Sequence, residues 1–571
     1  LPQLKFLSYK QSSLPPPILK APDVKFDQRR SVWVLMIRKF LMRLTFVSAV
    51  EKCRFSILFI VGSIMASGFI ANAQPKLETI GVVYNIRDFG AIGDGSHLDS
   101  ESVNRAIQAA TGAGGGTVWV PAGTYLCGSI HLASNIHLYL DSGAVILGAP
   151  QELQAYDETE PFEGRIYQDG GHTYFHNSLI WGENLINVVI DGHGEIKGGG
   201  LVRQAEILNE MTGFKHWETP NTQTYPPVRI GNKAIALKRC RNILIRDITI
   251  FHGGHFGLLA TGCDHLTVDN VSIDTNRDGM DIDACRDTFI SNCRVNSPSD
   301  DGICIKSSYA LGEMRLTENL TIVNCQVSGY LEGTMLDATY QPKLTGKEAN
   351  GRIKFGTEST GGFRNCTISN CTFRQCNGLA LEEVDGGLME NITINNLTML
   401  DMRDYGIYIT TGSRNRSPDS SCRSRARNIL ISNVIMDNAG KLGGIQIYGQ
   451  PGHPLEGVRL ENIQLITSGG GEGTGEPKEL GKKYPEPSWS IGPVPAYGIY
   501  ARHVKGLELA NIHLGFQTDD ARPALVFADI QGLELENIKP QLSTDVPAAL
   551  FADDVRDLVI RDSPKLKTGK K

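Results

Sequence analysis

Along most of this chain apolar residues alternate with polar ones at period two, in short runs that end in Asn or Asp. The phrase occurs as RNILIRD ending at Asp247, DHLTVDN at Asn270, RDTFISN at Asn292, ENLTIVN at Asn324 and RNCTISN at Asn370. It returns as ENITINN at Asn396, RNILISN at Asn433, EGVRLEN at Asn462, KGLELAN at Asn511 and QGLELEN at Asn537. Period-two alternation predicts strands with one buried face. One unit of two or three such strands cannot bury its apolar face alone, whereas stacked units bury a continuous core. The expected fold is all-β: a single-stranded, right-handed parallel β-helix. Asn at a fixed turn position fits it, because Asn tolerates the left-handed conformation and can bond to the next rung. A solenoid needs a capped end, and residues 100–111 (SESVNRAIQAAT) have helical spacing with Ser100 as the expected N-cap. The gaps at 201–232, 331–350 and 468–495 are expected excursions from the coil, carrying Trp217, Tyr225, Tyr330, Tyr340, Tyr484 and Trp489.

Length changes little: 571 residues would suggest several domains, but one solenoid accounts for them. A net charge of −6 without a long basic block argues against nucleic acid. The apolar run at 55–70 follows Arg54 and precedes Ala71-Asn72-Ala73. This reads as a signal peptide, too short to span a bilayer, with cleavage after Ala73 and Met42 as a sensible start. Residues 1–73 are thus an upstream extension plus signal peptide, 74–565 one catalytic domain and 566–571 a basic tail. The product is expected to be secreted or periplasmic, monomeric and off the membrane. Past Cys53 eleven cysteines remain, several following the turn Asn, as at Cys293, Cys325, Cys366 and Cys371. They read as stacked interior residues rather than a zinc set.

The chemistry concentrates in residues 274–308. Asn276-x-Asp278-Gly279 is followed by Asp300-Asp301-Gly302 and Lys306, with Asp278 and Asp300 one coil of 22 residues apart. Neighbouring rungs lie about 5 Å apart, so Asp278, Asp300 and Asp301 can share one face. Clustered carboxylates push each other's pKa upward, keeping one protonated as an acid while another stays ionised, as glycosidic cleavage requires.

These motifs resemble glycoside hydrolase family 28, the polygalacturonases and rhamnogalacturonases. The DFGAIGDG opening at 88–95 and the GGTVWVPAGT segment at 115–124 are shared widely among β-helix polysaccharide enzymes. The NxDG and DDGICIK pair is more specific. The resemblance implies inverting hydrolysis of a pectic polysaccharide or oligosaccharide without a metal or other cofactor. Asp300 matches the general acid, and Asp278 and Asp301 match the carboxylates that activate water, spaced widely enough to admit it.

Two departures stand out. Arg352 occupies the place of a family His, and Ala380 and Glu382 replace a cationic Arg-x-Lys clamp for the substrate carboxylate, inverting the charge there. This favours a branched or mixed backbone, such as rhamnogalacturonan, or exo action. Candidate substrate-binding residues are Asn276, Lys306, Arg352, Lys354, Glu382, Glu383, Arg414, Arg416 and His255. Asp385, Tyr497, Tyr500, Arg502, His503 and His252 are further groove candidates, each equally consistent with ordinary packing. Two other readings stay open on the same fold: a polysaccharide lyase, and a non-catalytic carbohydrate-binding solenoid.

Overall fold

The computed structural model describes residues 82–161, 166–202, 229–343, 350–419, 421–440, 442–473, 475–479, 494–544, 546–566 and 568–569. The chain divides into two compact units, and these residues all lie in the second, Ile80–Lys571. The signal segment and Trp217, Tyr225, Tyr484 and Trp489 lie outside the described residues.

Each strand pairs in parallel with the equivalent strand of the next coil, and the chain winds as a right-handed parallel β-helix. One row of neighbours runs Leu259, Asp281, Cys304, Lys354, Ala380, Tyr408 across consecutive coils. This row belongs to β1 (Phe256–Thr261), β2 (Asp278–Asp283), β3 (Ile303–Ser307), β4 (Ile353–Ser359), β5 (Leu379–Glu383) and β6 (Tyr405–Thr411). Alternate residues, such as Met280, Ile282, Ile303, Ile305, Leu379 and Leu381, point into one continuous core. The strand period therefore sends Asp281, Lys354 and their row to the outer face.

The turn asparagines behave as their type demands. Asn324, Asn370, Asn396, Asn433, Asn462, Asn511 and Asn537 all sit at φ between 51° and 58°. From Asn370 on, each side-chain amide donates to the Oδ1 of its counterpart one coil earlier, at 2.9–3.3 Å. Asn433→Ala removes two ladder bonds and places a Cβ residue without a compensating side chain in the left-handed region, which alone costs about 1–2 kcal/mol. Its unfolding midpoint should fall, and Asn433→Gly should lose less, since glycine adopts that backbone freely.

A second ladder alternates charge across an exposed face: Arg286, Glu318, Arg364, Glu390 and Arg427 are register neighbours. Arg286 meets Glu318 at 3.1 Å, and Arg427 meets Glu390 at 2.6 Å. Exposed pairs contribute little singly, but a slip by one coil would set like charges together. All eleven cysteines of the described residues are free, ten of them buried. Cys293, Cys325 and Cys371 each precede a strand in matching register and stack in the interior, as their spacing predicts.

The cap is the helix α1, Ser100–Gly112, which buries Val103, Ala106, Ile107 and Ala110 against the first coils. Its N-cap is Asp99 rather than Ser100. The Asp99 carboxylate accepts from the Ile92 and Gly93 N–H groups, and the Ser100 hydroxyl accepts from Gly128 N–H, so both side chains tie the helix to neighbouring loops.

Excursions line the outer face. Residues 331–343, 470–473 and 475–479 leave the coil within the expected stretches. Another, between the strands Ala144–Gly148 and Ile180–Glu183, carries no repeat signal in the sequence. It lays Phe175 on Ala236, Phe256 and Leu259, covering the outer face on the N-terminal side of Asp281. On the other side Tyr405, Tyr408, Tyr448 and Tyr500 pack with Val494 and Ala496. The Tyr500 hydroxyl exchanges hydrogen bonds with the Lys478 backbone, both at 2.7 Å. Tyr497 and Tyr500 are thus packing residues, while Arg502 and His503 pair with Glu479.

Candidate active site

The three aspartates do meet. One carboxyl oxygen from each of Asp278, Asp300 and Asp301 lies within 4.8 Å of the other two. Stacking by one coil brings this about: Gly279 N–H donates to Asp301 O at 3.0 Å, so β2 begins directly beneath the Asp300-Asp301 turn. The wide separation expected for inversion is absent, because residues on adjacent rungs of one face cannot lie much farther apart than the strand spacing.

The three groups are not alike. Asp278 is buried, and burial, reinforced by the charge of Asp300, pushes its carboxyl up to about 8. Asp301 is equally buried, and burial opposes its ionisation, but Arg352, Lys354 and Lys306 together outweigh it and hold the carboxyl well below the usual range. Asp300 is the one open to solvent, with 27% of its side chain exposed. Asp301 N–H approaches the Oδ1 of both Asp278, at 3.3 Å, and Asp300, at 3.1 Å. Asp278 therefore keeps its proton next to Asp300 and beside a firmly ionised Asp301.

Cations surround them, each matched by a protein carboxylate. Arg352 is 1% exposed; its Nε donates to Asp301 Oδ1 at 2.6 Å, Nη1 donates to the Tyr405 hydroxyl, and Nη2 lies 3.7 Å from Glu382. Lys354 sits 3.4 Å from Asp301 and 4.0 Å from Glu382. Lys306 bridges Glu358 at 3.0 Å and Asp281 at 3.4 Å. Arg414 holds Asp385 through two nitrogens and Thr357 Oγ1 through a third, and Arg416 lies 3.6 Å from Glu358. Asp281 is driven well up by burial, whereas Lys306 and Arg414 overcome burial to hold Glu358 well down.

Of the remaining candidates, Asn276 is half-buried two residues before Asp278. Glu383 is corrected: it is fully buried, accepts from Gly387 N–H at 3.0 Å and is pushed well above the carboxylate range by burial. Its parity in β5 is opposite to that of Glu382, so it serves the following turn. His255 is 1% exposed and kept neutral by burial and then by Arg277. It lies 3.8 Å from Asp169 and packs on Phe256, behind the aspartates rather than on the open face. Asp385 is held by Arg414, and His252 pins Glu332 of the 331–343 excursion at 3.0 Å.

Sequence reasoning missed Arg277, Asp169, Asp281 and Glu358. Arg277 and Asp281 stand inside the motif region and could have been found from it. Asp169 reaches the site from an excursion, and Glu358 from β4, a coil strand whose sequence lacks the repeated phrase.

Residues 83–304 match a family model described as rhamnogalacturonase A/epimerase, pectate lyase-like, and residues 313–471 match one for the right-handed β-helix region. A probable polygalacturonase of Vitis vinifera is 25% identical over 409 residues, covering 66% of this chain and 73% of that protein. An exopolygalacturonase of Platanus acerifolia is 23% identical over 414 residues, 69% of this chain and 93% of the relative. The family 28 exopolygalacturonase of Yersinia enterocolitica shares the fold, with a TM-score of 0.56 at 18% identity over 82% of this chain and 79% of that one. The chain is a right-handed parallel β-helix protein, and these matches together support a polygalacturonase family like glycoside hydrolase family 28.

Proposed function

We propose that the protein is an exported hydrolase that cleaves a glycosidic bond in a pectic polysaccharide or oligosaccharide, with Asp300, Asp278 and Asp301 as its reacting carboxyls. The observation that carries this reading is the division of labour among the three: a buried Asp278 that keeps its proton, the solvent-facing Asp300 beside it, and a buried Asp301 held ionised. Asp300 gives its proton to the leaving oxygen, and Asp301 with Asp278 directs water to the anomeric carbon. The cation pairing supports a mixed or branched backbone over plain galacturonan. A uronate must displace a protein carboxylate to reach Lys354, Arg352 or Arg414, and it meets Glu382 where a clamp would serve it. Coverage of the outer face on both sides of the aspartates supports exo action.

The Asp278 proton sets a pH limit. It leaves as pH rises through about 8, so kcat/KM should fall across that region rather than near the ordinary carboxylate range. A pH–rate profile on a cleaved oligosaccharide checks this.

The stereochemistry is a sharp test: one oxygen of each carboxyl lies within 4.8 Å of the others, closer than the roughly 6.5–9.5 Å between carboxyl groups usual for inversion, so inversion is supported by the motif resemblance and not by the spacing. NMR of the first-formed product should show the anomer opposite to the bond cleaved. A retained anomer would make one aspartate a nucleophile and overturn the water-directing roles. Export rests on the sequence at 54–73, and Gln74 as the first residue of the mature protein is its test.

A further inference from the structure

Arg277 is the middle residue of the Asn276-x-Asp278 motif, and its guanidinium faces three carboxylates on three edges. Nη1 lies 3.2 Å from Asp278 Oδ2, Nε lies 3.4 Å from Asp300 Oδ2, and Nη2 lies 3.8 Å from Asp169 Oδ2. The ring of Phe256 lies beneath it, 5.6 Å from centroid to guanidinium carbon. The Arg277 backbone is fixed as well, its carbonyl accepting from the Ser297 hydroxyl at 2.5 Å. The two Oδ1 atoms of the pair share the Asp301 N–H, and the two Oδ2 atoms share Arg277. Each carboxyl thus has one oxygen near the Asp301 N–H and the other within ion-pair distance of Arg277, a guanidinium that cannot deprotonate.

Asp169 stands apart from the three aspartates. It comes from the excursion before Ile180–Glu183, where it caps the short helix Gly170–His172 by accepting from His172 N–H at 3.2 Å. The rings of His172 and His255, both kept neutral by burial, are its other neighbours.

We propose that Arg277 is a positioning residue that orients and polarises the Asp278–Asp300 pair, and that Asp169 tunes it by holding the third edge of the guanidinium. This deepens the hydrolase reading above and rests on it for its rate effects, though not for its electrostatics. The charged and titratable groups facing the pair and its partners are Arg277 on its own turn, Asp301 and Lys306 from the next coil, Asp281 from the same strand with His172 3.3 Å from it, and Asp169 with His255 behind Arg277. Arg352 and Lys354 act on it through Asp301.

The two partners carry opposite charge, so their removal has opposite signs. Arg277→Gln takes a cation from the pair, and its proton is held more tightly; an opposite charge at this range is worth about 1–3 pH units. The alkaline limb of the pH–rate profile should rise by that much, while kcat falls about 100-fold from lost alignment and KM changes little. Arg277→Lys keeps the charge without the fork; kcat should fall while the limb stays. Asp169→Asn removes an anion and frees Arg277 for the pair, so the limb should move down. The same shifts should appear without turnover in the 13C-carboxyl NMR titration of labelled aspartate, assigned with Asp278→Asn and Asp300→Asn. An Arg277→Gln titration unchanged from native, or a shift of the same sign in Asp169→Asn and Arg277→Gln, overturns the proposal. Opposite carboxyl shifts in a protein that hydrolyses no pectic substrate would uphold the proposal's electrostatics and sink the hydrolase reading instead.

Discussion

Asp300→Asn should lower kcat by about 10²–10⁴-fold, the usual contribution of a positioned general acid, while oligosaccharide affinity stays within a few-fold. Asp300 is the exposed member of the pair, so it is the one a leaving oxygen can reach. The amide keeps the shape and can still accept from Asp301 N–H through its carbonyl oxygen, but it has no acidic proton to deliver. Calorimetric binding alongside initial rates separates the two effects. Asp278→Asn should also slow the reaction, by a different route. It removes the buried carboxyl whose proton is held up to about 8, so the alkaline limb near that pH should be lost. Full activity in Asp300→Asn would hand the chemistry to another group, and unchanged binding with no activity in either protein would favour the carbohydrate-binding solenoid.

Arg352→Met should destabilise the fold by about 3–5 kcal/mol, the cost of leaving a buried charge without its partner, and should also inactivate the protein. Arg352 is almost wholly enclosed and links Asp301, Glu382 and the Tyr405 hydroxyl across three coils. Methionine fills part of the volume but leaves Asp301 with Lys354 as its nearest remaining cation. Asp301 is held down in the folded protein, so its contribution to stability is present above its unfolded pKa, about 3.9. That contribution is lost as pH falls through the folded value. Asp278 has the opposite sign: its folded pKa of about 8 lies above the unfolded one, so its contribution is lost as pH rises towards 8. Arg352→Met weakens the acid-side protection, narrowing the stable range from below. Denaturant titration should show Arg352→Met/Asp301→Asn recovering much of the stability and none of the activity. If the single variant matches native stability, the buried network is not what holds these coils.

The solenoid was legible because its signal is local and repeated. Each coil states its own strands by alternation and its own turn by Asn, and one rung's reading predicts the next. The three aspartates were legible for the same reason, since their separation equals the coil length. The electrostatic partners were not. Asp169 approaches Arg277 from an excursion, and Glu358 meets Lys306 across 52 residues, so no short window holds both members of either pair. Arg352 reads in sequence as a replacement for a substrate-binding His, yet its side chain is spent on Asp301 and Glu382. Glu382 and Glu383 look equivalent as neighbours, and only strand parity separates them. The widely spaced carboxylates expected from the chemistry gave way to rung spacing, a property of the fold.

The central claim, that water is added across a glycosidic bond, is tested most directly by mass spectrometry of products formed in H₂¹⁸O from a panel of pectic oligosaccharides. The predicted product carries one ¹⁸O at its new reducing end and is saturated, and it is missing when Asp300→Asn replaces the native protein. A product lighter by one water, unlabelled and absorbing near 235 nm, would mean elimination and contradict the assignment of the three aspartates.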